Sequence, residues 1–352
     1  MPSFMAAPVE VHRIDSERSQ PAPLVSVVIP THDRRESLLS VLTALAGQTM
    51  EPADFEVVLV CDGCTDGSAA AARALDLPYR LSVIEQPGQG PASARNRALA
   101  QTTGEVVVFI DDDVIPSPEL LQHHLDEHRR NEAAVVIGPL LAPLDYPLDP
   151  WTRWEANTLK GQYDAMTDGR WSPTPRQFYT GNASARRAHL VASGGFDTGF
   201  RRAEDVELAY RLQAMNLKFV FAPAAAGWHR ARRPLRSWID AARAYGHADV
   251  AMYRRGRLMT LQSMATEFKW RNRWLRRAAR AFVGRPRMLG ATIATMVFTA
   301  RLATAAHIDE VADRAYSVVF NLSYWDGLAE SMGGRQAFWG LVRTGTLPPP
   351  EP

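Results

Sequence analysis

Val106-Val107-Val108-Phe109-Ile110 runs directly into Asp111-Asp112-Asp113, and the reading of that junction decides the fold. Five β-branched and aromatic residues without polar alternation read as a strand buried on both faces, as in a parallel sheet covered by helices. Three adjacent acids at its end repel one another and are costly unless positive charge stands beside them. In an open α/β sheet the carboxyl ends of the strands are where ligands bind. A hard divalent cation that also holds substrate phosphates is the simplest occupant. The other reading is a solvated acidic turn before a helix, with Ser117-Pro118-Glu119 as N-cap, first-turn proline and dipole-favoured acid.

Outward from this junction, strands and helices alternate. Residues 24–30 read as a strand stopped by Pro30, followed by a helix over about 35–46 with Gly47 as its C-cap. A strand over 55–60 ends at Cys61-Asp62-Gly63, and a helix over about 66–75 follows. A third strand spans about 79–85, and Gly88-Gln89-Gly90-Pro91 opens a helix that runs to about 101. After the three aspartates come a helix over about 118–131 and a strand over 134–138. This alternation predicts an α/β fold: a Rossmann-like, mostly parallel sheet with helices on both faces. Residues 139–180, rich in Pro, Trp and Tyr, read as irregular, which in a compact enzyme marks a functional or mobile segment. A turn at Gly194-Gly195-Phe196-Asp197, a helix over about 204–215 and a short strand at 219–221 complete the region. The domain boundaries read as a loose leader over 1–21, an α/β domain over 22–230 and a basic, mainly helical region over 231–345 before a Pro-rich tail. The α/β domain divides into two halves, 22–138 and 139–230.

The chain has 352 residues, 46% hydrophobic and 22% charged, which fits a globular protein with a sizeable core and no low-complexity tract. The first twenty residues are polar and of mixed charge, so no signal peptide is read there. The longest uncharged apolar stretch, Met288 to Ala300, is 13 residues and reads as a buried or interfacial helix. Cys61 and Cys64 are the only cysteines, which excludes a disulfide framework and fits a reducing cytoplasm. Their C-x-x-C spacing reads either as a redox or zinc pair or as two small residues at a strand end; no second pair completes a zinc site. Residues 231–290 hold fifteen Lys and Arg against three acids, a net +12 in a chain whose total is +2. That block reads as a nucleic-acid patch, a surface for anionic lipid or a solvated helical face.

Thr31, Asp62 and Asp111 to Asp113 each follow a predicted parallel strand, so the fold would align them along one edge faced by helix N-termini. Such an edge suits a nucleotide. Arg95, near the start of its helix, reads as reaching the same edge or as a solvated helix charge.

A series of motifs runs through Val27-Val28-Ile29-Pro30-Thr31-His32-Asp33-Arg34, Asp62-Gly63-Cys64-Thr65-Asp66-Gly67-Ser68 and Ala94-Arg95-Asn96-Arg97. It continues through Gly104-Glu105, Phe109 to Asp113, Gly194-Gly195-Phe196-Asp197, Glu204-Asp205-Val206-Glu207-Leu208 and His229. In this order and spacing, over about 24–230, the motifs resemble those of the family 2 glycosyltransferases, which have the GT-A fold. The resemblance implies that 22–230 is a catalytic domain, with a nucleotide-sugar half, 22–138, and an acceptor half, 139–230. It implies an Asp-x-Asp pair, Asp111 and Asp113, holding Mg2+ or Mn2+ on a nucleoside-diphosphate sugar. Asp113 would be the most direct ligand, Asp111 or Asp112 would lie near the ribose, and His229 would supplement the metal. Asp62 and Arg95 would meet the nucleobase, and Thr31 the base or ribose. Asp205, with Glu204 beside it, would be the base of an inverting transfer. Where the family often has two acids, this chain has Cys61-Asp62, which leaves the identity of the base open.

The chemistry is consistent: a diphosphate leaving group needs stabilisation as charge builds on it, and an acceptor hydroxyl needs a carboxylate base. Gly181-Asn182 reads as a border of the sugar pocket. The acceptor is expected to be a lipid-linked or cell-envelope glycan, and the interleaved Arg, Trp and Tyr of 231–320 imply peripheral attachment to an anionic cytoplasmic leaflet. The alternative is a helical cap with a solvated Arg face. No nucleic-acid module is present, so no nucleic-acid partner is expected. The competing functions are a nucleotidyltransferase, which should carry a Gly-rich loop absent at Pro30 to Arg35, and a non-catalytic nucleotide-binding protein at a membrane.

Overall fold

In the computed structural model, residues 22–257 and 259–344 are described. The expected leader over 1–21 and the end of the Pro-rich tail lie outside them. Contacts divide the chain into two units, residues up to 146 with 159–230, and 147–158 with residues from 231 onward.

In chain order, the first unit begins with β1 (Val25–Thr31), α1 (Arg35–Leu45), β2 (Phe55–Asp62), α2 (Ser68–Arg73), β3 (Arg80–Gln86) and α3 (Pro91–Leu99). Next come β4 (Val106–Ile110), β5 (Val114–Pro116), α4 (Leu120–Arg130), β6 (Ala134–Ile137), β7 (Leu140–Leu141) and α5 (Pro150–Thr167), whose residues up to 158 belong to the second unit. The unit closes with β8 (Asn182–Arg186), α6 (Arg187–Ala192), α7 (Glu204–Ala214), β9 (Lys218–Phe221) and β10 (Gly227–His229).

Seven strands form one sheet in the order β3-β2-β1-β4-β8-β6-β9, parallel except for β8, and β5-β10-β7 form a second, small sheet. The uninterrupted apolar runs are central strands. Alternate residues feed two separate cores: Val27, Ile29, Leu59, Val108 and Ile110 pack on the α1 and α4 side. Val28, Val58, Val60, Val107 and Phe109 pack on the α3 and α7 side. Burial of both faces is what a run without alternation demands. Gly104 is required by close packing: a Cβ there would lie 2.7 Å from the backbone of Val25 and Ser26.

The structure corrects three expectations. The segment 139–180 is not irregular, since it contains the 18-residue α5, opened by Pro150 at its first position. The helix after the aspartates starts at Leu120 with Glu119 at the cap; Ser117 gives no side-chain cap, and its backbone bonds to Leu120, Gln48 and Ala226. The strand β8 was not foreseen, and it separates β4 from β6.

The second unit is helical: α8 (Leu235–Arg254), α9 (Met259–Trp270), α10 (Arg273–Phe282), α11 (Pro286–Ala305), α12 (Asp309–Ser331) and α13 (Arg335–Thr344). α12 packs against both α8 and α11. Its crossing with α8 is made at Gly246 and Gly327, where any Cβ would strike the facing backbone. Trp238, fully buried, packs on Tyr316 and Phe320 with ring centroids 6.1 and 5.3 Å away.

Candidate active site

The three aspartates do not form a solvated turn. Asp112 and Asp113 are 5% and 7% exposed, and β5 begins immediately after them. Their mutual repulsion is relieved by two arginines, Arg95 on Asp111 and Arg34 shared by Asp112 and Asp113. Asp111 accepts from Arg95 Nη2 at 2.8 Å. Asp112 accepts from Thr31 Oγ1 at 2.6 Å and Arg34 Nη1 at 3.1 Å. Asp113 accepts from the same Arg34 Nη1 at 2.5 Å and lies 3.4 Å from His229 Nε2. β10 pairs antiparallel with β5, setting His229 opposite Val114 and so beside Asp113.

The two buried acids differ in how readily they lose a proton. Burial pushes the Asp112 carboxyl up to about 6 against the pull of Arg34, with Asp113 and Asp111 adding to the rise. Burial acts the same way on Asp113, but His229 and Arg34 outweigh it and hold it well below the usual carboxylate range. Asp113 stays ionised to lower pH than Asp112.

A second cluster is joined to the first through one guanidinium. Arg95, 5% exposed, donates to Asp111 and, through Nη1, to Glu204 Oε1 at 2.7 Å. Burial opposes its charge, but Asp111 and Glu204 outweigh it and raise its pKa. Asp205 follows Glu204 in the first turn of α7, partly exposed, with Oδ1 accepting from Val206 N at 2.8 Å. Burial, then the neighbouring Glu204, pushes its carboxyl up to about 7, while Arg95 and the N–H groups of Val206 and Thr180 pull it down. Ala203, just before the pair, adopts a left-handed φ of +57°. A non-glycine residue held there costs about 1 kcal/mol or more, and such strain clusters at working sites.

The motif glycines and asparagine hold these clusters in register. Asn96 on α3 donates to Phe196 O at 2.8 Å and accepts from Phe196 N at 2.7 Å. Gly195, at φ +71°, passes so close that a Cβ would sit 2.5 Å from Asn96 Oδ1. Arg211 grips the same turn through Ser193 O and Gly195 O and is itself fixed by Glu207.

Asp62 is 8% exposed, and both its oxygens serve the following loop: Gln86 Nε2 and Gln89 N at 2.8 Å, Gly90 N at 2.7 Å. Cys61 and Cys64 are free thiols, Cys61 buried and Cys64 directed at Thr31 O.

Against the sequence expectations, Asp111, Asp112, Asp113, Thr31 and His229 converge, and Arg95 ties Glu204 to them. The terminal nitrogens of Arg95 are committed to Glu204 and Asp111. Asp111, Asp113 and His229 do not make a compact three-ligand group: among the described residues only Asp33, Cys64 and Asp66 have ligand atoms all within 4.8 Å. Arg34 was not singled out. Its signal was position alone, three residues past the end of β1.

A Rossmann-like sheet with one inserted antiparallel strand, and acids gathered at its carboxyl edge, is the GT-A arrangement. A model of the family described as "Glycosyl transferase family 2" matches residues 26–202, half of the chain, and the chain belongs to that family. It is 33% identical over 218 residues to validoxylamine A glucosyltransferase of Streptomyces hygroscopicus subsp. limoneus, covering 54% of this chain and 48% of that protein. It is 31% identical over 231 residues to pre-mycofactocin glycosyltransferase of Mycobacterium tuberculosis, covering 63% of this chain and 46% of that protein. The chain thus spans about half the length of these curated relatives. Among solved structures, the mannosyltransferase PcManGT from Pyrobaculum calidifontis, in complex with GDP-Man and Mn2+, superposes with TM-score 0.54 at 20% identity, covering 91% of each chain. Staphylococcus aureus TarS 1-349 with UDP-GlcNAc gives TM-score 0.53 at 17% identity, covering 88% of this chain and 92% of that one. At these identities the structural matches speak to the fold.

Proposed function

We propose that this chain is a metal-dependent, inverting glycosyltransferase that moves a sugar from a UDP- or GDP-type donor to an acceptor hydroxyl on a lipid-linked or cell-envelope glycan. We place it on the cytoplasmic face of the membrane as a peripheral protein. The observation that carries the reading is the Arg95 bridge, which joins the donor-side aspartate Asp111 to the Glu204-Asp205 pair. The solved relatives with UDP-GlcNAc and GDP-Man support the donor class but not the choice between bases. Family membership favours sugar transfer over the nucleotidyltransferase and over a purely binding role.

The donor set fits a divalent cation. Asp113 supplies an anionic oxygen and His229 an imidazole nitrogen, and a Mg2+ or Mn2+ site needs only one or two protein ligands when phosphates and water supply the rest. Arg34 already bridges Asp112 and Asp113, so the position draws positive charge. When bound, the cation would act as a Lewis acid on the leaving diphosphate. Asp205 takes the proton of the incoming hydroxyl, and its pKa of about 7 suits a base working near neutral pH. Arg95 pairs with Glu204, and Glu204 in turn raises the neighbouring Asp205 carboxyl. Thr31 fixes one oxygen of Asp112 while Arg34 ties the other to Asp113. Asp62 holds the loop 86–90 that would wall the nucleobase.

A thermal-shift screen of UDP-, GDP- and dTDP-sugars with and without Mn2+ tests this. One nucleotide series should stabilise the wild type only with metal, and Asp113→Asn should lose the metal increment. Equal stabilisation with and without metal, in both proteins, would overturn the metal assignment.

A further inference from the structure

α11 is 20 residues long, not the 13 of the apolar run in the sequence, and the structure leaves most of it uncovered. Its most apolar window has mean hydropathy 1.3, yet 17% of that window is buried. The helix carries two stripes. Leu289, Ala300 and Ala303 are buried, with Ile293, Met296 and Val297 half-buried against the helical cores of the second unit. The opposite stripe, Met288, Ala291, Thr295, Phe298, Leu302 and Ala305, recurs at alternating steps of three and four, as one helix face does. On it Met288, Phe298 and Leu302 are 48%, 62% and 56% exposed. The threonines do not make the helix polar. Thr292, Thr295 and Thr299 each spend their hydroxyl on the carbonyl four residues back, at 2.9, 3.0 and 3.0 Å.

The charge around this helix has one sign. Between Glu267 and Asp309 the chain has nine Lys and Arg and no acid. Trp270 and Trp274 in the same stretch are 82% and 64% exposed, and Arg273 and Arg277 lie over the Trp274 ring at 5.1 and 5.0 Å. Exposed tryptophans, an apolar helix face and unbalanced arginines together match the headgroup region of an anionic bilayer.

We propose that the outer stripe of α11, with the arginines and tryptophans of 269–287, is the surface by which this chain docks on anionic lipid, α11 lying in the headgroup plane. This rests on the peripheral placement proposed above and assigns it to named residues. A crossing helix would have to bury Arg301, which is exposed within the last two turns, and would free a face that packs on α12. A second copy would bring nine cations against nine and is disfavoured by charge.

The test uses the full chain with vesicles of phosphatidylcholine alone or mixed with phosphatidylglycerol, at low salt, read by co-sedimentation and tryptophan emission. The wild type should sediment with the anionic vesicles, with emission shifted to the blue. Phe298→Ser with Leu302→Ser should lower partition about tenfold or more, with an unchanged melting curve. Arg273→Gln with Arg277→Gln should lower it about 25-fold, at roughly fivefold per charge, on anionic vesicles only. Equal partition to both vesicle types, or no effect of the serine pair, would overturn the proposal. So would a Phe298-dependent dimer in sedimentation without lipid, or resistance to alkaline extraction, which marks a crossing helix. Sugar-nucleotide turnover is measured in parallel without lipid. Lost lipid binding with intact turnover sinks this surface alone; intact lipid binding without turnover sinks the transferase reading alone.

Discussion

Replacing Asp205 with asparagine should stabilise the folded protein at alkaline pH while stopping its chemistry. Burial, then Glu204, raises the Asp205 carboxyl from 3.8 to about 7, so the folded state resists the charged form. The sign follows from linkage: a carboxyl whose folded pKa is raised binds its proton more tightly in the folded than in the unfolded chain. Stability is therefore undiminished below about pH 4, falls as pH rises toward 7, and stays reduced above it. At about 1.4 kcal/mol per pH unit, the full penalty approaches about 4 kcal/mol, and solvent reaching the partly exposed group brings it to about 2–4 kcal/mol. Asparagine keeps an acceptor for Val206 N and carries no charge, so it mimics the protonated form. Thermal melts in a chelator should show the variant roughly 4–12 °C above wild type at pH 8.5. The gap should close near pH 4. A variant no more stable than wild type at pH 8.5, or a gap independent of pH, would refute the placement of a strained charge at Asp205.

Arg95→Met leaves Asp111 and the buried Glu204 without their shared cation, and chemical denaturation should show a loss of about 3–5 kcal/mol. Arg34→Ala removes the resident positive charge from Asp112 and Asp113, so calorimetric titration without nucleotide should show tighter Mn2+ binding than wild type. Asp113→Asn should abolish that binding in either background. The pH profile of sugar transfer should rise through a limb near 7, set by Asp205, and Glu204→Gln should move that limb to lower pH by removing a neighbouring negative charge.

What the sequence made legible was whatever burial writes directly into composition. β4 is apolar without interruption, and the apolar runs of β1 and β2 are broken only by Ser26 and Glu56, because helices cover both faces; the acids after β2 and β4 stand out against that background. The strand β8, Asn182-Ala183-Ser184-Ala185-Arg186, shows no such pattern although it lies inside the sheet. Its polar side chains are satisfied by partners far away in sequence: His124 bonds Ser184 and Asn182, and His128 bonds Ser184. Burial keeps both histidines neutral, lowering them to about 4 and about 3. α5 was hidden by the prolines around it, although Pro150 is its opening residue. The candidate site was legible as a set of acids but not as a circuit. Which carboxylate meets which cation depends on packing, and the inward turn of Arg95 and the reach of Arg34 to two aspartates leave no trace in spacing.

The most direct test of the account is the single-turnover release of nucleoside diphosphate from the preferred sugar donor by Asp205→Asn, with donor affinity measured on the same preparation. The account predicts a rate about 10²–10⁴-fold below wild type with donor affinity retained. Release at the wild-type rate would contradict it.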